Sequence, residues 1–125
     1  MPKKIFNQIK KVFNHNNITK KSNILFLGLS YKKNIGDLRN SPSLEIFEYL
    51  IKENYNIQFN DDFVKKVKLK NKIFLSKNIN SIKNNKVIIL STDHDYYKKI
   101  KFSNNSLIVD LRNFFIKNKK NVIKL

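Results

Sequence analysis

Continuous apolar runs decide most of what this chain can fold into. "NILFLGL" at 23–29, "KVIIL" at 86–90 and "SLIVD" at 106–110 each give way abruptly to polar residues. A strand with one wet face alternates apolar and polar residues. An unbroken run belongs to a strand covered on both faces, as in a parallel sheet. "YNIQF" at 55–59, closed by Asn60, Asp61 and Asp62, reads as a further strand, and "KIFL" near 72–75 and "NVIKL" at the end as short ones.

Helical signals fall between these runs. Ser41 followed by Pro42 is a helix start, with Ser as N-cap and Pro at the first helical position. Leu44, Phe47, Leu50 and Ile51 give that helix its buried face, and Asn54 is a left-handed terminator. A second helical turn is expected around Ile79 and Ile82, and "STDHD" at 91–95 reads as the cap and first turn of a third helix. Residues 3–14 place Ile5, Phe6, Ile9, Val12 and Phe13 on one face, opposite lysines. The linker "HNNITKKSN" follows. That apolar stripe is expected to dock onto a second copy or a separate catalytic chain; the alternative is that it folds back onto its own sheet. The resulting fold class is α/β: a Rossmann-like three-layer domain with a mainly parallel sheet and right-handed crossovers, preceded by an N-terminal amphipathic helix. The expected division is helix and linker over 1–21 and the α/β domain over 22–125.

Composition narrows the function. No run of eighteen apolar residues exists to cross a membrane, and the first twenty residues lack the apolar core of a signal peptide. Cysteine is absent, which excludes disulfides, thiolate metal sites and a Cys nucleophile, and the cytoplasm is the expected compartment. With two separated histidines and no Cys, a metal site is not expected. The net charge of +17 invites nucleic acid or an anionic membrane surface as partner. Yet only two of the 26 basic residues are Arg, and the lysines are spread evenly, as on a solvated surface in a Lys-, Asn- and Ile-rich chain.

The scarce residues gather in "GLSYKKNIGDLRNSP", 28–42, which holds both glycines, Arg39 and Pro42. In a parallel α/β sheet, ligands sit outside the carboxyl ends of the strands. Lys32, Arg39 and Arg112 all follow strands, so they share one rim, above several helix N-termini, suited to an anionic ligand such as a phosphate. Gly28 is expected to end a strand beneath a close-approaching ligand and Gly36 to permit a tight turn. The loop carries neither G-x-G-x-x-G nor a Walker A motif. Thr92, Asp93 and His94 suggest either acid–base chemistry or helix capping. Tyr31 is open between packing and stacking on a base or sugar, and His15 reads as plain surface.

Taken in order, three segments resemble one family. "LGLSYKKNIGDLRNSPSLEIFEYL" resembles the signature opening the C-terminal domain of UDP-glucose/GDP-mannose dehydrogenases. "VIILSTDHDYY" and "LIVDLRNFF" resemble its later strand–loop elements. The resemblance spans roughly 20–125; Asp62, where the family usually has Pro, departs from it. It implies a domain that holds the nucleotide part of a UDP-sugar in an enzyme that oxidises the sugar C6 alcohol with two NAD. It implies that Tyr31 and Lys32 contact the nucleotide-sugar, that Arg112 reaches the UDP part and that Arg39 lies near the NAD. The family's NAD-binding domain and the central domain with its catalytic Cys are not represented, so this chain alone is expected to be inactive. The alternatives are a regulatory module or gene remnant that kept the nucleotide pocket, and a basic protein bound to nucleic acid or a membrane surface.

Overall fold

The computed structural model describes residues 2–116 and 119–125. Five short strands form one wholly parallel sheet: β1 (Ile24–Leu27), β2 (Ile57–Asn60), β5 (Val87–Leu90), β6 (Leu107–Asp110) and β7 (Val122–Lys124), in the order β2-β1-β5-β6-β7. β1 sits beside both β2 and β5, so the crevice between β1 and β5 lies where the chain switches direction across the sheet. β3 (Lys66–Leu69) and β4 (Lys72–Leu75) make a separate antiparallel hairpin. Its two-residue turn, Lys70 (φ 49) and Asn71 (φ 62), is the left-handed pair that matches strand twist. Of this hairpin only the "KIFL" strand is expected from sequence; β3 carries four residues of alternating Lys and apolar character and no Gly to mark its turn.

Alternation along the central strands sends Ile24, Phe26, Val87, Ile89 and Val109 to one face and Leu25, Leu27, Ile88, Leu90 and Ile108 to the other. The first face is covered by α1 (Pro2–His15) and α2 (Pro42–Lys52). Phe47 of α2 is its hub, meeting Phe26, Phe59 and Phe74 edge-on at 5.5–5.8 Å between ring centres. The second face carries no α-helix among the described residues. Short 3-10 turns, Ile79–Asn84 and Asp95–Lys99, and the aromatics Tyr96, Tyr97, Phe102, Phe114 and Phe115 cover it instead. The third layer is therefore thin, and "STDHD" opens one tight turn rather than a helix.

The N-terminal stripe overturns one expectation. Phe6, Ile9 and Phe13 are buried in the same core as α2 and the sheet, Phe6 stacks on Tyr49 at 5.1 Å, and Phe13 meets Tyr55 at 5.6 Å. Lys10 closes the seam with a 3.3 Å bond to Glu53. The stripe is core cover, because a two-helix layer is what the first sheet face needs, with Phe6, Ile9 and Phe13 committed to it. No helix among the described residues is long and apolar enough to cross a membrane.

Candidate functional site

The rim at the carboxyl ends of β1, β2, β5 and β6 is built on buried polar side chains. α2 begins there as its sequence requires: Ser41 is extended (φ −76, ψ 116), its Oγ accepts Leu44 N–H, and Pro42 opens the helix. The same Oγ donates to the Leu29 carbonyl at 2.6 Å, fastening the first loop to the helix start. The segments after β4 and β5 form short 3-10 turns, Ile79–Asn84 and Asp95–Lys99, rather than the further α-helices expected from sequence.

Asp61, fully buried after β2, organises the first loop. Its Oδ2 accepts Leu29 N–H (2.9 Å), Ser30 N–H (3.0 Å), Ser30 Oγ–H (2.8 Å) and a contact of 3.0 Å from His94 Nε2, while Oδ1 accepts Phe63 N–H (2.9 Å). Burial pushes its carboxyl up, but the donors from His94, Ser30 and Leu29 outweigh burial and hold it below the usual carboxylate range. His94 is equally buried, and its Nδ1 accepts the Asn34 N–H at 2.8 Å. A nitrogen that accepts carries no proton, so the ring proton sits on Nε2 and is donated to Asp61. The pair is a neutral imidazole on a carboxylate.

His94 stands at the N-cap of the turn, as the capping reading expects, but neither it nor Thr92 caps with its side chain. Thr92 Oγ1 donates to the Ser30 carbonyl at 2.6 Å, and His94 makes no side-chain cap bond to the turn it precedes. Both staple the third loop to the first. Beside them the ring of His94 lies against Phe63 (4.8 Å), Tyr96 (5.7 Å) and Tyr97 (5.6 Å). Burial, foremost, pushes the Tyr96 hydroxyl up to about 12 and the Tyr97 hydroxyl higher still. Both act as neutral donors, to Asn60 Oδ1 (2.8 Å) and to the Asn60 carbonyl (2.9 Å).

Asp110, buried at the end of β6, repeats the device. Its carboxylate accepts Arg112, Phe114 and Phe115 N–H at 2.9–3.0 Å. This aims Arg112 back across the sheet, where Nε donates to the Ser91 carbonyl (2.7 Å) and Nη2 to the Tyr31 carbonyl (3.1 Å). Its Nη1 stands 3.8 Å from Asp93. Arg112 and Tyr31 are thus brought together. Tyr31 is 43% exposed and Lys32 is exposed beside it. Arg39 is not joined to them. Its guanidinium forks onto Asp37 at 3.1 Å through both Nε and Nη2, and that bond, with Arg39 N–H, holds the Asp37 carboxyl below its ordinary range.

Both glycines have reasons other than those expected. Gly28 has φ +93, and a Cβ there would overlap the Thr92 Cβ and stand 2.7 Å from Thr92 N and Oγ1. The close approach seen here is that of the protein's own third loop. Gly36 has no positive φ; a Cβ there would overlap the Phe63 carbonyl oxygen.

A family profile described as the UDP-glucose/GDP-mannose dehydrogenase family, UDP binding domain, matches residues 25–117. The chain belongs to this family. The matched segment runs from β1 through the Asp110 loop and so contains the whole rim. A UDP-N-acetyl-D-mannosamine dehydrogenase from Methanococcus aeolicus is 26% identical over 122 residues, covering 90% of this chain and 27% of its own length. A UDP-glucose 6-dehydrogenase from Rickettsia prowazekii is 27% identical over 102 residues, covering 73% and 24%. The fold agrees with a UDP-D-ManNAc dehydrogenase structure from Pyrococcus horikoshii at a TM-score of 0.76 and 22% identity, over 98% of this chain and 29% of that one. The chain therefore spans about a quarter of the length of these relatives. Within the UDP binding domain, sequence reasoning missed Asp61, His94 and Asp110 as site builders. The available signal was an Asp at or directly beyond the carboxyl end of a buried strand, in "FNDD" and "LIVD".

Proposed function

We propose that this domain holds the nucleotide part of a UDP-sugar on the rim, for oxidation by a dehydrogenase whose catalytic Cys and NAD-binding parts lie outside these 125 residues. What supports the reading, beside the family, is the 3.1 Å bond that joins Arg112 to the Tyr31 carbonyl. It holds a planar cation and an exposed aromatic ring together at one edge of the β1–β5 crevice, with the exposed Lys32 next along the loop. Tyr31 offers a face for the base or sugar, Lys32 a mobile counter-charge for phosphate, and Arg112 a fork whose Nη1 side remains for the diphosphate. Asp93 occupies that side at 3.8 Å, so a diphosphate displaces it. Arg39, its side chain 88% exposed and forked onto Asp37, makes no bond to this cluster, and we assign it to the neighbourhood of the NAD in the complete enzyme.

Calorimetry with UDP, UDP-glucose and GDP-mannose tests the reading. UDP and UDP-glucose should bind, and Lys32→Ala should weaken binding by about 1.5–3 kcal/mol, the worth of a charge-assisted contact. Arg39→Ala should leave UDP affinity unchanged. Absence of binding by all three ligands refutes the proposal. The 125-residue chain should reduce no NAD with any nucleotide-sugar, since without Cys it cannot form a thiohemiacetal.

A further inference from the structure

We infer that the buried Asp61–His94 pair is the positioning device for the loop bearing Tyr31 and Lys32, and that its grip requires a neutral His94. The inference rests on the nucleotide-binding reading of that loop. The loop is gripped at both ends. Leu29 and Ser30 hang on Asp61 Oδ2, and Asn34 hangs on His94 Nδ1 through its backbone N–H. Between these anchors lie Tyr31, Lys32 and Lys33. Asn34 sits in the left-handed region (φ 63), and its side chain pairs reciprocally with Asp95, Nδ2 to Oδ2 at 2.8 Å and Oδ1 from Asp95 N–H at 3.1 Å.

The imidazole works in series. Its Nε2–H is spent on Asp61, and its Nδ1 lone pair is the acceptor for Asn34. Only one tautomer serves both. A second proton must go to Nδ1, where it would face the Asn34 N–H across 2.8 Å, donor against donor. The bond to Asp61 would meanwhile become charge-assisted and stronger. Acid therefore ejects Asn34 while the ring keeps its seat. The groups facing the ring are Asp61 from the β2 side and Tyr96 and Tyr97 from its own turn. Asp95 is turned to Asn34 and Lys98. From the first loop, only the Asn34 amide is bonded to the ring among the described residues.

Nitrogen NMR and amide exchange on the 125-residue chain, with UDP titration, test this. At neutral pH His94 should carry its proton on Nε2. When acid puts a second proton on the ring, read from its own nitrogen shifts, Asn34 should lose about tenfold or more of its protection, corrected for intrinsic exchange. Leu29 and Ser30 should keep theirs, and UDP should bind about tenfold more weakly at the acid end, the loss of one loop-holding bond. H94N places an untitratable acceptor where Nδ1 stands, so it should restore Asn34 protection and abolish the pH dependence. H94Q reaches Asp61 but leaves Asn34 without its acceptor, so it should bind about tenfold more weakly at every pH. A proton on Nδ1 at neutral pH overturns the inference. So does Asn34 protection that stays constant while the ring gains its second proton, or that is the same in H94Q as in the wild type. If the wild-type chain binds no UDP at any pH, the nucleotide reading is what fails, and the Asn34 exchange still decides the positioning role.

Discussion

Replacing Gly28 with Ala should cost this chain a large part of its stability, and the structure says why. Two penalties act together. The residue has φ +93, where an L side chain is strained by about 1–3 kcal/mol. The added methyl also overlaps Thr92 Cβ and comes within 2.7 Å of Thr92 N and Oγ1. Thr92 has nowhere to go: it is fully buried, its N–H donates to the Leu27 carbonyl at 3.1 Å, and its hydroxyl donates to the Ser30 carbonyl at 2.6 Å. Overpacking against so fixed a neighbour costs about 1–3 kcal/mol more. The two midpoints sum to about 4 kcal/mol, a large share of the roughly 5–15 kcal/mol that holds a domain folded.

Urea denaturation measures this as a fall in the midpoint at constant slope. Gly36→Ala separates the terms. Its methyl meets the Phe63 carbonyl, but its backbone is not left-handed, so it should lose only the steric part, about 1–3 kcal/mol. The alternative, that Gly28 makes room for a ligand, predicts weakened UDP binding with stability intact. A loss below about 1 kcal/mol for Gly28→Ala would refute the packing argument.

Deleting residues 1–18 removes Phe6, Ile9 and Phe13 from the core and should destabilise the chain by several kcal/mol without changing its state of association; Phe13→Ala alone should cost about 3–5 kcal/mol by urea melt. Arg112→Ala should lower stability by about 1.5–3 kcal/mol as well as UDP affinity, because it removes two charge-assisted bonds, to the Ser91 and Tyr31 carbonyls; Arg112→Lys, with no fork, should rescue neither fully. The depressed carboxyl of Asp61 contributes stability that is complete above the ordinary carboxylate range, about pH 4, and is lost as pH falls through its lower folded value. Asp61→Asn should abolish that acid-limb loss and lower the neutral plateau, readable by thermal melts across pH. Combining Lys70→Asn with Asn71→Gly should raise stability by about 1 kcal/mol, because Lys is a poor left-handed residue in a two-residue hairpin turn.

The parallel sheet was legible because its cause is local. A strand buried on both faces must be apolar through its length, and β1 and β5 are, as is β6 up to Asp110. The start of α2 was legible for the same reason: Ser41, Pro42 and the stop at Asn54 (φ 64) each act within a few residues. The fate of the α1 stripe was not, since an amphipathic face states that it needs cover and not which surface supplies it. The rim was half legible. Which residues follow strands could be counted off, which placed Lys32, Arg39 and Arg112 at one edge, though Arg39 is bonded to Asp37 and not to the others. What holds them could not, because it consists of side-chain bonds to backbone across 20–80 positions, such as Asp61 to Leu29 and Arg112 to Tyr31. A Ser, Thr or Asp after a strand looks the same whether it caps the next turn or crosses to another loop.

The glycines make the same point about local and distant causes. Among the described residues six Asn stand at positive φ: Asn17, Asn34, Asn40, Asn54, Asn71 and Asn113. Asn tolerates that conformation by bonding its own neighbourhood, so in this chain it does the conformational work usually given to Gly. What Asn cannot do is shed its Cβ. Glycine is retained at Gly28 and Gly36, and at both the deciding contact comes from far along the chain, Thr92 in one case and Phe63 in the other. A turn in the sequence explains why a residue bends; only the fold explains why it must also be bare. The two glycines sit in the 28–42 loop because that loop lies against both the second and the third, and it is this three-loop packing, closed by Asp61, His94 and Thr92, that holds Tyr31 and Lys32 at the rim.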